Sequence, residues 1–122
     1  MDKPEIEYVD PTPPSDLVVT DITVGDGAEA VGGSTVSVHY VGVAHSTGEE
    51  FDASYNRGSA LEFRLGAGQV ISGWDRGITG MKVGGRRQLV IPPHLAYGER
   101  GAGGVIGPGE TLVFVCDLVG VR

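Results

Sequence analysis

Gly66-Ala67-Gly68-Gln69-Val70-Ile71-Ser72-Gly73-Trp74-Asp75-Arg76-Gly77-Ile78 holds the single tryptophan of the chain. It sits at the start of a very short helix, behind two β-branched residues and between glycines. Ser72 suits an N-cap, and Asp75 three positions on suits a capping box. Trp74 and Ile78 are four apart and share one helical face. Gly80 can end the helix in the left-handed conformation. An interior Gly77 costs about 1 kcal/mol relative to alanine, so a helix this short does not stand alone. Something must wrap it and cover its apolar face.

The covering elements are legible. Thr35–Val41 alternates, with Val36, Val38 and Tyr40 on one face. Leu61–Leu65 alternates as well. Gln88–Ile91 is a short apolar run closed by Pro92 and Pro93. Thr111–Val119 is a long strand with Leu112, Phe114, Cys116 and Leu118 on one face. Leu17–Val24 is a less regular strand that ends at the turn Gly25-Asp26-Gly27. About five strands and a single helix imply an antiparallel sheet and an α+β fold.

With 122 residues there is room for one core. No run of about 18 apolar residues could cross a membrane. Met1-Asp2-Lys3-Pro4-Glu5 lacks a basic and apolar signal region, and one cysteine permits no internal disulfide. Both set the expectation of a reducing, cytoplasmic setting. Cys116, on the apolar face of its strand, reads as an inert core residue. Residues 1–30 hold eight acids and one base, whereas residues 31–122 hold eight of each. The net charge of −7 therefore belongs to the front of the chain. No basic stripe exists to neutralise phosphates, which argues against nucleic acid as a partner. Residues 1–14, with four prolines, read as a flexible acidic arm ahead of a domain over 15–122. Ile6, Tyr8 and Val9 are its clear apolar contacts, suited to an outer sheet edge.

The usual catalytic constellations are missing from the sequence. His39, His45 and His94 have no metal-ligand spacing and read as surface residues. No nucleophile sits in an elbow motif. The stretch from Gly101 to Gly109 superficially suggests a phosphate loop, but it lacks the Lys-Ser/Thr ending and leads into a strand. Tyr40, Phe51, Phe63, Trp74, Tyr97 and Phe114 are too many aromatics to be mere filler in so small a core. They point to an apolar cleft with a few polar groups. Asp52 and the Tyr97 hydroxyl stand beside aromatics, and a carboxylate at such a cleft needs a partner. Arg57 lies five residues on.

At this point a resemblance becomes specific. Val38-His39-Tyr40-Val41-Gly42, Phe51-Asp52-Ala53-Ser54, Val70-Ile71-Ser72-Gly73-Trp74, Gly80-Met81-Lys82-Val83-Gly84, Ile91-Pro92-Pro93, Leu95-Ala96-Tyr97-Gly98 and Leu112-Val113-Phe114 occur in one order. Together they resemble the single-domain FK506-binding proteins, which are peptidyl-prolyl cis-trans isomerases (rotamases). The resemblance extends over roughly residues 17–121. The resemblance implies a twisted five- to six-stranded antiparallel sheet wrapped around one short helix.

It also implies a catalytic set of Asp52, Tyr97, Tyr40, Phe51, Trp74 and Phe114, with Trp74 as floor and Tyr40, Phe51 and Phe114 as walls. Arg57, Leu61, Val70, Ile71 and Ile106 would bind substrate or macrolide. Tyr97 O–H and Ile71 N–H would bond a ligand carbonyl, and Asp52 would act as an electrostatic partner rather than a base. Proline-containing peptides, unfolded proteins, FK506 and rapamycin are the implied ligands of a monomer. No metal, cofactor or membrane is called for. Leu61 stands where many members carry phenylalanine, and Ala102 where a histidine is common. No long insertion occupies that loop, which speaks against a general-chaperone role. A pure binding module is the other rival class.

Overall fold

The computed structural model describes residues 3–6 and 12–122. The elements run β1 (Val18–Thr23), β2 (Thr35–Ala44), β3 (Glu50–Ala53), β4 (Leu61–Arg64), α1 (Ser72–Ile78), β5 (Arg86–Ile91) and β6 (Leu112–Val121). Short 3-10 turns occupy Ser54–Asn56 and Pro93–Leu95. The strand order is β1-β5-β6-β2-β3, with β4 also on β2, and every pairing is antiparallel. The outer edge of β2 is shared. Its start pairs with β4 through Thr35–Val38, and its end pairs with β3 through Val41–Val43. Among the described residues the sheet therefore has six strands around one α-helix, as the α+β reading expects. Strand β3 was not visible as an alternating run because Glu50–Ala53 is a four-residue edge strand with a register shift against β2.

The alternation places the core. Val36, Val38 and Tyr40 on β2 and Leu112, Phe114, Cys116 and Leu118 on β6 turn toward Trp74 and Ile78 of α1. Cys116 is fully buried, and burial pushes its thiol pKa up, which leaves it unreactive. The opposite face of β6 is buried too, unlike a simply two-sided strand. Val113 packs with Val43 and Val90, and Ile6 of the N-terminal segment lies over them. Pro4 beside it is buried, and the Lys3 ammonium pairs with Glu50 at 3.0 Å. Tyr8 and Val9 lie outside the described residues. No helix among the described residues is long and apolar enough to cross a membrane.

Two glycines decide how near the helix comes to the sheet. A Cβ at Gly73 would lie 2.4 Å from Ile91 Cγ2, and one at Gly77 would lie 2.7 Å from Leu89 Cδ2. Their spacing of four puts both on the face against β5. The roughly 1 kcal/mol lost to helix propensity at each is offset by the close packing it permits.

The capping expectation needs correction. Ile71, not Ser72, is the N-cap, and no side chain caps the helix start. The Asp75 carboxylate turns away to accept the backbone N–H groups of Gly66 at 2.8 Å and Gly68 at 3.1 Å. Both glycines have positive φ, +81° and +72°. That left-handed turn presents two N–H groups to one carboxylate, so the acid fastens the preceding loop rather than its own helix. At the other end Gly80 has φ +90° as expected. Arg87 Nη1 donates to the Gly77 and Thr79 carbonyls at 2.8 and 3.1 Å, a cation where the helix dipole favours one.

Candidate active site

A cavity of about 170 Å³ opens beside the N-terminal end of α1. Its lining comprises Tyr40, Phe51, Asp52, Leu61, Gln69, Val70, Ile71, Trp74, Tyr97 and Phe114. Trp74 is its most enclosed aromatic, at 3 % exposure. The Tyr40 and Phe114 rings meet the indole almost at right angles, at 4.9 and 5.3 Å between centroids, and Phe63 backs it at 5.7 Å. Perpendicular contacts suit the ring quadrupoles, and they hold rings upright instead of letting them collapse into the space between. Phe51 meets Phe114 in the same way at 5.5 Å. Gly42 makes that wall possible, because a Cβ there would lie 2.7 Å from both phenylalanines. Among the described residues none accepts a hydrogen bond from the buried Trp74 Nε1–H.

One side of the cavity is polar. The Tyr40 hydroxyl donates to Asp52 Oδ2 at 2.5 Å. Arg57 Nη1 donates to Asp52 Oδ1 at 2.7 Å, and Nη2 donates to the Tyr40 hydroxyl at 2.9 Å. Burial pushes the Asp52 pKa up, but the hydrogen bonds from Tyr40 and Arg57 and the guanidinium charge outweigh it, so the carboxyl titrates below its ordinary value. Burial and the Asp52 contact raise the Tyr40 phenol. At neutral pH the set is thus an ionised carboxylate, a neutral phenol and a cation. A carboxylate so occupied is a poor general base. It is a fixed negative charge at the rim of an apolar space.

The remaining polar groups come from two loops. Ile71, just before α1, has an N–H that no described backbone group accepts. Tyr97 follows the Pro93–Leu95 turn and is 40 % exposed. Its turn is fixed by Gly98 N–H donating to Pro93 O at 2.9 Å. Arg57 does not line the cavity but braces two residues that do. Ile106 does not line it either. It is buried in the core and bridged to Ala102, whose N–H donates to Ile106 O at 2.9 Å. Gln69 lines the space without having been singled out from the sequence. Its side-chain oxygen accepts Arg64 N–H at 2.8 Å, and a lone glutamine in a glycine-rich loop gives no pattern to read.

Behind Tyr40 lies a second polar group. His39 is half-buried rather than on the surface. Its ring stacks on Tyr55 at 4.6 Å, because the turn after β3 folds over the outer face of the sheet. The Tyr55 hydroxyl donates to Asp117, which is fully buried and gripped by Arg86 through Nε at 2.6 Å and Nη2 at 2.9 Å. Among the described residues no three His, Cys, Asp or Glu side chains gather as a metal site would require.

Comparison with known proteins agrees with this geometry. Residues 27–119 match the family model for FKBP-type peptidyl-prolyl cis-trans isomerases. An FK506-binding protein of Streptomyces anulatus is 69% identical over 122 residues, covering 99% of this chain and 98% of its own. An FK506-binding protein of Neisseria meningitidis is 50% identical over 105 residues, covering 86% and 95%. The crystal structure of AtFKBP13 superposes with a TM-score of 0.81 at 46% identity, covering 92% of this chain and 98% of that one. FkpA from Escherichia coli superposes at 0.78 and 44% identity, with 87% of this chain covering 48% of that one. A sheet wrapped on a short helix, an aromatic cavity at the helix start and a match along nearly the whole chain lead to one assignment: the chain belongs to the FKBP-type peptidyl-prolyl cis-trans isomerase family.

Proposed function

We propose that this chain accelerates rotation about X–Pro bonds in proline-containing peptides and unfolded proteins by holding the twisted amide in the Trp74 cavity. Rotation must cross about 18–20 kcal/mol because it breaks C–N resonance, and unassisted exchange takes tens to hundreds of seconds. No covalent bond is broken, so the chemistry needs neither nucleophile nor metal. The planar amide carries more charge separation than the twisted one. A dry apolar cavity therefore favours the twisted form relative to water, which is differential binding of the transition state.

The proline ring sits over Trp74 between Tyr40, Phe51 and Phe114. Ile71 N–H and Tyr97 O–H hold the substrate carbonyl, each worth on the order of 1 kcal/mol. Asp52, braced by Tyr40 and Arg57, faces the rotating group as a fixed charge. FK506 and rapamycin occupy the same cavity, and Leu61 and Val70 form an apolar rim beside it. Residues 15–122 carry this activity as a monomer in the cytoplasm, and the arm over 1–14 is dispensable for it.

The observation that carries the reading is the cavity of about 170 Å³ with Trp74 beneath it and Asp52 at its edge. The test is cis/trans exchange of a Leu-Pro peptide with and without FK506. Acceleration by the protein, abolished by the macrolide, is the expected result. Unchanged exchange by folded protein would overturn the isomerase reading, and acceleration insensitive to saturating FK506 would overturn the shared cavity.

A further inference from the structure

Ser54 is fully buried at the point where β3 ends and the 3-10 turn begins. Its hydroxyl oxygen accepts the Tyr40 backbone N–H at 2.7 Å and lies 2.8 Å from His39 Nδ1. Its own carbonyl accepts the Arg57 N–H at 3.0 Å. One residue thus grips the backbone of two members of the Tyr40–Asp52–Arg57 set, and it stands two positions from the third. The ladder between β2 and β3 is short, with Val41 opposite Ala53, Gly42 opposite Asp52, and a register shift before Val43 and Glu50. Beyond Ala53 there is no further strand bond, and the Ser54 hydroxyl takes the N–H next in line. It closes the ladder where an edge strand would otherwise fray.

The grip is itself anchored. His39 stacks on Tyr55, and Tyr55 donates to Asp117, which Arg86 holds in turn. The serine hydroxyl has one proton and two lone pairs. With Tyr40 N–H donating to it, that proton goes to the His39 ring nitrogen or to the Tyr40 carbonyl at 3.4 Å.

We propose that Ser54 is a positioning residue for the isomerase cavity: its hydroxyl and carbonyl together set the register of Tyr40 against Asp52 and Arg57. The proposal rests on the isomerase reading above. It differs from a merely structural role in one measurable way. If Ser54 acts through the side-chain set, its removal matters only while the set exists. Tyr40→Phe breaks the set by removing the hydroxyl but keeps the backbone N–H that Ser54 binds.

The experiment is a double-mutant cycle of Ser54→Ala with Tyr40→Phe, reading kcat/KM on a Leu-Pro peptide and the thermal midpoint of each variant. Ser54→Ala should lower kcat/KM about fivefold in the native background and less than about twofold in Tyr40→Phe, because coupled residues are not additive. The loss in thermal midpoint should be the same in both backgrounds. Ser54→Thr, which keeps the hydroxyl, should recover most of the activity. Should Ser54→Ala not fold, His39→Leu removes one partner of the hydroxyl while sparing the Tyr40 N–H bond. Its loss of about twofold should likewise vanish in Tyr40→Phe. Equal fold-losses in the two backgrounds, or an unchanged kcat/KM in folded Ser54→Ala, would overturn the proposal. A native protein without activity would instead overturn the isomerase reading, so the two failures are distinct.

Discussion

Two tyrosine–aspartate–arginine sets stand on opposite sides of the central strands, built from the same parts. At the cavity, Tyr40 and Arg57 both donate to Asp52. On the outer face, Tyr55 and Arg86 both donate to Asp117. The difference is water. The Asp52 and Arg57 side chains are 40% and 50% exposed, whereas Asp117 and Arg86 are 0% and 22% exposed. An exposed pair contributes about 0–1 kcal/mol to stability, so the fold depends little on the Asp52–Arg57 contact. A buried pair is costly to break, because the surviving partner is stranded. Burial, and not residue identity, sets the two aspartates apart.

Removing the buried carboxylate should have the largest effect. Asp117→Ala should cost about 3 kcal/mol of stability, from removing the buried carboxylate that accepts from both Arg86 and the Tyr55 hydroxyl. Denaturant midpoints measure this, and a loss below about 1 kcal/mol would erase the contrast between the two sets.

Asp52→Asn should do the reverse. Stability should change by less than about 1 kcal/mol, while kcat/KM on a Leu-Pro peptide falls about tenfold, or about 1.4 kcal/mol of transition-state stabilisation. The pH profile sharpens this. The carboxyl of Asp52 is held below its ordinary value by Tyr40 and Arg57. Its contribution is therefore complete above the ordinary carboxylate range and is lost only as pH falls through the lowered value. Activity should survive the ordinary carboxylate range and decline below it. Arg57→Ala should move that acid limb to higher pH, and an unmoved limb would separate Asp52 from its brace.

A third tyrosine completes the comparison. Tyr97 is exposed at the cavity and donates to neither aspartate. Tyr97→Phe should weaken FK506 binding by about 1 kcal/mol, the worth of one hydrogen bond, and leave the thermal midpoint unchanged. Trp74 fluorescence reads the binding, since it is the only tryptophan. An unaltered affinity would reject the hydrogen bond from the Tyr97 hydroxyl.

The smallest effect is that of salt. The coupling between Arg57 and Asp52, measured by a stability cycle at low ionic strength, should be a few tenths of a kcal/mol and vanish near 1 M salt. The Arg86–Asp117 coupling should persist under the same conditions. Equal screening of both would mean that water reaches Asp117 after all.

Much of this was readable from local pattern. Strands β2 and β6 alternate, and the helix announces itself by Trp74 and Ile78 between glycines. The pocket aromatics stand within short blocks that resemble a family. What escaped was decided at a distance. Tyr55 and Asp117 are 62 positions apart, and nothing near either residue foretells their meeting. His39 reads as a surface residue until the turn at Ser54–Asn56 lays Tyr55 across it. Asp75 has the spacing of a capping box, yet two left-handed glycines upstream outbid the helix start for its oxygens.

The bare glycines of the helix also constrain how this sequence can change. Gly73 faces Ile91 and Gly77 faces Leu89 with no room for a methyl group. Each is one half of a shared volume, so a methyl gained on the helix must be given up on the strand. Gly77→Ala alone would force either the Leu89 side chain or the helix that carries Trp74 to shift. Paired with Leu89→Val, the same methyl has somewhere to go. The approach of helix to sheet is thus written across two strand positions and two absent side chains, and drift at any one of the four is tied to its opposite number.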